Sequence, residues 1–595
     1  MLAASPPLLH MTYYDYAVLV FYFGYMLAIS WIFRRFVTNV SDYFRGGGKA
    51  LWWMVGGSAF MAAFSAWTFT GAASKAYTDG WPVMAIFVAN AVGFVLNAVY
   101  FAPRFRQLRV ITSVEAIRQR FGAVSEQVMM WLQIPLSTLQ AAIHLNALGV
   151  FFAAIFGLDL TWTLVGTGAV VVFMTLVGGS WAVLAADFIQ VLILMPVCMA
   201  VTVLAILRLG GWDGFLAGLP GSHLNLGEIF TKEFLGLWCL AMLLKQITST
   251  NNLFEAGRYL SVKDSRHARW AGYLGAVLFL IGIFVWFLPP MAARALGVDL
   301  QAVFPTLKNP DEASFIAISQ IVMPVGMLGL LVSGIFAATM SGMDSGLNKN
   351  SGFFIKNFYQ PLLRPNATDA HLLRLARITT LVLGLLVIYL AVRMAEIKDL
   401  GLFLMMQRVS ILIGVPVTVP LLLGLVIRNT PPWSAWSTVL VGFFGSMFVG
   451  SFFPPEWGAA LVGYTEPLDA ASREYWIQGF QFFANVLLAS SWFIGTKLFW
   501  NRCTPEYRAQ VATFFHRMET PVDFDREEGV GAANDDRQYS AVGWLSIAYG
   551  AFVCVLALIP NPWVGRLAFL GCGGVVILIG AVLLAQTRRP LKSNL

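Results

Sequence analysis

Charge is what this chain most lacks. Only 12% of its 595 residues are Asp, Glu, Lys or Arg, while 58% are hydrophobic. A soluble domain carries about 25% charged residues, so the deficit excludes that class and marks a membrane protein. Polar sequence is also scarce. The longest polar stretch, at about 500–540, is too short to hold a sizeable core, which leaves no room for a soluble enzyme domain. Cysteine is sparse: of Cys198, Cys239, Cys503, Cys554 and Cys572, four lie in apolar runs and none forms a C-x-x-C pair. That spacing offers neither a metal site nor a disulfide framework. HExxH, G-x-S-x-G and paired acidic motifs are missing, which argues against an integral membrane enzyme. No Lys or Arg precedes the first apolar run and no small-residue cleavage site follows it. It reads as a retained span rather than a signal peptide.

What the chain has is apolar length. A helical span needs about 20 mostly apolar residues. Fifteen runs qualify, roughly at 14–33, 52–78, 82–105, 127–156, 161–178, 182–207, 233–253, 270–294, 322–358, 374–394, 401–426, 433–453, 477–499, 541–560 and 566–586. The expected fold is an all-α integral membrane bundle. The net charge of +8 raises the question of nucleic acid, but the distribution of charge answers it. Basic loops, such as Arg104–Arg120 and Arg258–Arg269, alternate with short neutral or acidic ones, such as Asp299–Glu312 and Glu456–Glu474. By the positive-inside rule the N-terminus is outside and the C-terminus cytoplasmic, in a multi-pass protein of the plasma or inner membrane. The partner this implies is the lipid bilayer, not nucleic acid.

Three runs are interrupted by polar or small residues. In LLVSGIFAATMSGMDSGLNKNSG (330–352), Ser341, Asp344, Ser345 and Asn348 fall at i, i+3, i+4 and i+7 and share one helical face. An intramembrane carboxylate is costly and usually faces a cavity, a partner or an ion, so this face suggests a path for a small cation. The other two are GGSAFMAAFSAWTFTGAASKAY (56–77) and CLAMLLKQITSTNNLFEAG (239–257). They lie five spans apart and would open two successive five-helix units of opposite orientation. Paired interrupted helices at matching places point to a transporter binding site. The alternative is that Gly and Ser merely permit close helix crossings.

Several local patterns then converge on one family. GGSWAVLAADFIQ (178–190) resembles the GG-x-x-A-V-x-x-x-D-x-x-Q signature of sodium:solute symporters, and GRYLSVKDSRHAR (257–269) resembles their Q-R-Y-L-x-x-K-x-x-x-x-A-R loop. ITSVEAIRQRFG (111–122), FAATMSGMDSGLN (336–348) and FFHRMETPVDFDREEG (514–529) are further echoes in the same order, covering about 14–530. The resemblance implies a five-plus-five inverted repeat of the amino-acid symporter type. Residues 1–50 would form an N-terminal peripheral helix and cytoplasmic loop, 51–207 the first repeat, 231–428 the second, and 429–595 the peripheral C-terminal helices.

The resemblance also implies site residues. The sodium site would use the carbonyls of Met61, Phe64 and Ala338 and the hydroxyl of Ser341. A second hydroxyl normally follows, and here that position is Gly342. Na⁺ is a hard cation that wants oxygen donors. The missing donor is open to water, a substrate group or Asp344. Alternatively the site is degraded, and coupling is absent or uses protons. Asp187 matches the family's helix-5 aspartate on the inner ion route; a capping carboxylate is the structural alternative. Substrate candidates are Trp67, Thr68, Asn90, Asn252, Phe403 and Gln407. Part of the sugar-carrier pattern is present, but the glutamine expected at Thr68 and the glutamate expected at Phe87 are missing.

Three charged or titratable residues in the spans complete the reading. Arg408 would favour a carboxylate substrate if it faces the cavity, and otherwise snorkels outward. Lys245, near midmembrane, must find a carboxylate or lose its proton. His144 is either a hydrogen-bonded core residue or a proton relay. Trp31, Trp52, Trp53, Trp81 and Trp433 sit at span ends, as an interfacial belt does. The expected function is inward symport of a small polar solute, sugar-like or a small carboxylate, driven by Na⁺ through alternating access. A transporter-like solute sensor is the rival.

Overall fold

The computed structural model describes residues 11–36, 48–177, 180–224, 232–305, 307–396, 402–461, 463–464, 467–468, 470–523, 527 and 533–587. Among these, regular structure is helical, apart from one isolated bridge between Ala50 and Val262. Helix α1 (Tyr13–Phe33) precedes an interrupted run. That run starts with α2 (Trp52–Ala62), breaks at Ala63–Ser65, and resumes as α3 (Ala66–Phe69) and α4 (Gly71–Thr78). The break has a local cause. The amides of Ala63 and Phe64 turn back to Phe60 and Met61 carbonyls, and Ser65 restarts the helix by accepting the Trp67 amide at 3.2 Å.

Next come α5 (Trp81–Gln107), α6 (Ala123–Phe156), α7 (Leu160–Val177) and α8 (Ser180–Arg208). Helix α9 (Lys232–Thr250) breaks at Asn251–Asn252 and continues as the short turns Leu253–Glu255 and Ala256–Tyr259. Here the breaker is Asn252. Its side chain accepts the Phe254 amide at 2.9 Å and donates to the Thr248 and Ser249 carbonyls, offering the backbone an alternative to the helix. The remaining long helices are α10 (Ser265–Ala295), α11 (Met327–Leu363), α12 (Asp369–Ala395), α13 (Leu402–Leu423), α14 (Ser434–Phe452), α15 (Arg473–Arg502), α16 (Asp535–Leu558) and α17 (Trp563–Thr587).

Among the described residues, twelve of these helices are long and apolar enough to cross a membrane. The other three of the fifteen expected runs are the interrupted α2–α4, the interrupted and polar α9, and α7, whose apolar part, Leu160–Phe173, is short. The fold is therefore all-α and multi-pass.

Helix α11 is central. Leu330, Val332, Ile335, Ala337 and Ala338 are fully buried on it. Its first turn is capped from α1, where Asp15 accepts the Gly329 amide at 2.8 Å. Around it, α8 packs on α2 and α11, and α10 packs on α2 and α5. Helix α9 lies on α5, and α6 and α7 pack against α12. Small residues do set crossings here. A Cβ at Gly56 would come 2.8 Å from the Ala271 carbonyl, so α2 and α10 touch backbone to backbone. Large apolar side chains such as Phe173, Leu385 and Leu578 are left exposed on the outside, as a lipid-facing surface requires.

One basic loop residue also holds the fold together. Arg120 is fully buried and donates to the Gly424 carbonyl at 2.9 Å, the Ile427 carbonyl at 2.8 Å and Thr430 Oγ1 at 2.8 Å. It clamps the end of α13 to the Ser113–Phe121 helix.

Candidate functional site

The first break meets α11 and α8 in a cluster of buried oxygens. The Asp187 carboxylate, on α8, accepts a 2.5 Å bond from Ser58 Oγ on α2. Ser341 Oγ of α11 is buried beside the same carboxylate and has no other hydrogen-bond partner among the described residues. Arg258 adds positive charge nearby and donates to the Ser58 carbonyl at 3.0 Å. Next to the cluster, the Ala66 amide at the start of α3 donates to Thr339 Oγ1 of α11 at 3.0 Å. That bond ties the broken strand of backbone to α11 one residue from Ala338 and two from Ser341.

Met61, Phe64 and Ala338 are all buried at this junction. A carboxylate, two hydroxyls and a turn of unwound backbone suit a hard monovalent cation, so the residues present fit Na⁺ as cargo. Gly342 contributes no side chain. A Cβ placed there would lie 3.6 Å from His144 Nδ1, so an imidazole borders the position where a second hydroxyl is expected. Asp344 and Ser345 are in α11, but their side chains lie outside the described residues.

A cavity of about 310 Å³ lies on the other side of the break. The structure brings Trp67, Thr68, Asn90, Asn252 and Gln407 to its wall, together with Lys245. Phe403 is not on the wall. It stacks on Trp67 with ring centroids 5.8 Å apart and 19° between planes. Trp67 Nε1 donates to the Leu402 carbonyl at 3.2 Å, and Trp238 and Tyr475 pack behind Phe403. This aromatic cluster stands beside the cavity, whose wall also includes Glu255, Arg258 and Tyr259.

Not every candidate is free to bind. Asn252 spends its side chain bracing its own break, as described above. Gln407 accepts a hydrogen bond from Lys245 Nζ, while among the described residues its amide nitrogen meets only the Met242 sulfur, at 3.5 Å. Arg408 neither lines the cavity nor snorkels alone. It makes a two-pronged pair with Glu474 at 2.7 and 2.8 Å, half-exposed on the far side of α13. His144 lines the cavity and forms no hydrogen bond among the described residues, so it is not the bonded core residue that was one of its two readings.

Sequence reasoning missed four contributors: Ser58, Thr339, the Glu255–Lys349 pair at 3.7 Å, and Glu312, which accepts the Leu402 amide at 2.7 Å and anchors the start of α13. Ser58, Thr339, Glu255 and Lys349 all sit inside the interrupted runs, so their neighbourhoods carried a signal though their pairings did not; Glu312 lies outside those runs.

The sodium:solute symporter family model matches residues 43–442, about two thirds of the chain. The chain belongs to the sodium:solute symporter family. It is thus a transporter family member rather than an enzyme, and its activity is sodium-coupled symport across a membrane. Similar proteins include the human sodium/myo-inositol cotransporter 2, 27% identical over 478 residues that cover 72% of this chain and 69% of that one. The sodium/glucose cotransporter of Vibrio parahaemolyticus is 25% identical over 442 residues, covering 70% of this chain and 80% of that protein. Among solved structures, a substrate-bound, outward-open Na⁺-coupled sialic acid symporter superposes with a TM-score of 0.65 at 20% identity, over 83% of this chain and 99% of that one. At that identity the likeness speaks for the fold.

Proposed function

We propose that this symporter carries a small polar, polyol-like solute through the cavity between α3, α5, α9 and α13, coupled to Na⁺ bound at the break. The observation that carries this reading is the adjacency of two built features on one interrupted helix. On one side the break meets the Asp187–Ser58–Ser341 oxygen cluster; on the other it opens into the cavity lined by Thr68, Asn90 and Gln407. An ion bound at the break fixes the backbone that also shapes the solute cavity, so the two ligands act on one element and are linked thermodynamically. Relatives named for myo-inositol and glucose support the hydroxylated solute class.

In this reading sodium takes oxygens from Met61, Phe64, Ala338 and Ser341, Asp344 supplies the donor lost at Gly342, and Asp187 receives the ion on its way inward. The Trp67–Phe403 stack is the outer gate. The helices from 51–207 and 231–428 form two inverted five-helix repeats, with 1–50 and 429–595 peripheral and fifteen spans in all. The helix contacts support such a pairing: α2 packs on α10 as α9 packs on α5, the exchange that a two-fold relation between repeats requires. The N-terminus lies outside and the C-terminus in the cytoplasm, with the Arg258 end of the cavity facing inward.

Uptake of a panel of radiolabelled polyols, sugars and small acids into proteoliposomes, with and without an imposed Na⁺ gradient, tests the proposal. Na⁺-driven accumulation of a hydroxylated solute is expected. Binding without accumulation would instead favour a sensor.

A further inference from the structure

The charge lining the solute cavity does not balance. Lys245 projects from α9 into it, deep within the molecule. Among the described residues its only polar partner is the neutral amide oxygen of Gln407, and it makes no ion pair. Glu255 lines the same cavity but is already spent: Arg258 lies at 3.3 Å and Lys349 at 3.7 Å. Asp187 is behind the break, bonded to Ser58. Among the described residues the cavity therefore presents one ammonium with no anion to meet it. Arg408, the residue whose sequence position suggested a carboxylate, is occupied by Glu474 outside the cavity.

An ammonium held at midmembrane depth costs free energy unless it is paired or hydrated. Evolution of a carrier for neutral solutes gains nothing from leaving it there, since an amide or hydroxyl would serve Gln407 as well. A charge that the protein leaves unpaired in a ligand cavity is satisfied when the ligand brings the opposite one.

We propose that the transported solute carries a carboxylate that binds Lys245 beside Gln407, with hydroxyl groups read by Thr68, Asn90 and the Gln407 amide: a small hydroxylated acid. This rests on the symport reading above and narrows its substrate class. Lys245 is the residue that separates acid from neutral analogue.

The test uses purified full-length protein in NaCl and three matched pairs: D-glucuronate with D-glucose, D-gluconate with D-sorbitol, and L-lactate with propane-1,2-diol. Thermal stabilisation by each is measured, followed by Na⁺-driven uptake of those that bind. At least one acid is expected to stabilise the wild type while its neutral partner does not. Hydrogen bonds to a charged group are worth about tenfold to a hundredfold in affinity. Lys245→Met should therefore weaken the acid by that factor, and Lys245→Arg should retain it. If Lys245→Met fails to fold, Lys245→Gln carries the same expectation. Stabilisation by neutral members only, by no acid at all, or an acid response that survives both Lys245→Met and Lys245→Gln would overturn the proposal. Na⁺-driven uptake of a neutral solute alone would refute the acid while leaving symport intact. Failure of Na⁺ to drive uptake of any solute would instead count against symport.

Discussion

Thr339→Val probes the link between the broken helix and α11. The wild-type hydroxyl accepts the Ala66 amide at 3.0 Å and donates to the Ile335 carbonyl at 3.1 Å, and it is fully buried. Valine keeps the shape and removes the acceptor. The Ala66 amide is one of the first amides of α3, which have no partner within the helix. A buried donor left unpaired costs about 1–3 kcal/mol. The Ile335 carbonyl loses only a second, shared bond, so the amide dominates. Relieving that cost means moving Ala66, and with it the Met61–Phe64 carbonyls that are proposed to hold sodium.

If the whole cost falls on the ion-bound state, the Na⁺ concentration for half-maximal uptake rises by about 5-fold to 150-fold. Thr339→Ser restores the acceptor and should return the Na⁺ dependence to near wild type. The assay is initial uptake into proteoliposomes at a fixed solute concentration over a range of Na⁺. An unchanged half-saturation in Thr339→Val, with normal folding, would refute the idea that this bond sets the ion site.

Other consequences follow from the same geometry. Asp187→Asn keeps the Ser58 bond but removes the charge, and should depress Na⁺-driven uptake at least tenfold while leaving the purified protein folded, as checked by thermal unfolding. Asp344→Asn should raise the Na⁺ requirement of uptake if that carboxylate replaces the donor missing at Gly342; an unchanged Na⁺ titration would remove it from the site. Glu312 lies in a turn outside the spans, and burial pushes its carboxyl from 4.5 up to about 7. Because the folded protein holds this proton more tightly than the unfolded chain, the associated stability is complete at low pH and fades as pH rises from about 4.5 through about 7. The difference is worth about 3 kcal/mol. Glu312→Gln should flatten that part of the stability–pH curve and raise the unfolding temperature at pH 8. The Arg408–Glu474 pair is half-exposed, so breaking it with Arg408→Gln should change stability by about 1 kcal/mol or less and leave solute affinity unaltered in the uptake assay.

The fold was legible where the signal is local. Apolar run length gave the multi-pass bundle, and the two breaks fell within two of the three interrupted runs, because Ser65 and Asn252 act on their own backbone within a few residues, while the third run stays one helix. The three expected spans absent from the twelve long apolar helices are broken, polar or short, so the apolar run length that marked them in the sequence is not one continuous apolar helix in the structure. The site was legible only in part. Thr68, Asn90 and Gln407, which the motifs singled out separately, line one cavity, while the contact of Asp187 with Ser58 carried no signal in the motifs. What the sequence hid depends on partners far apart in the chain. Thr339 meets Ala66 across 273 residues, and Lys245 meets Gln407 across 162. For Arg408 the sequence left both a cavity-facing and an outward-snorkelling position open, and the structure pairs it with Glu474 instead. Successive helical positions point about 100° apart, and the adjacent face of α13 turns it to Glu474.

The decisive experiment is accumulation in proteoliposomes under an inward Na⁺ gradient. The solute should concentrate above its external level, and collapsing the gradient with a Na⁺ ionophore should release it, while a pH gradient without Na⁺ should have no effect. Uptake driven by the pH gradient alone, indifferent to Na⁺, would contradict a sodium site at the break with Ser341 among its ligands and Asp187 on the inward route.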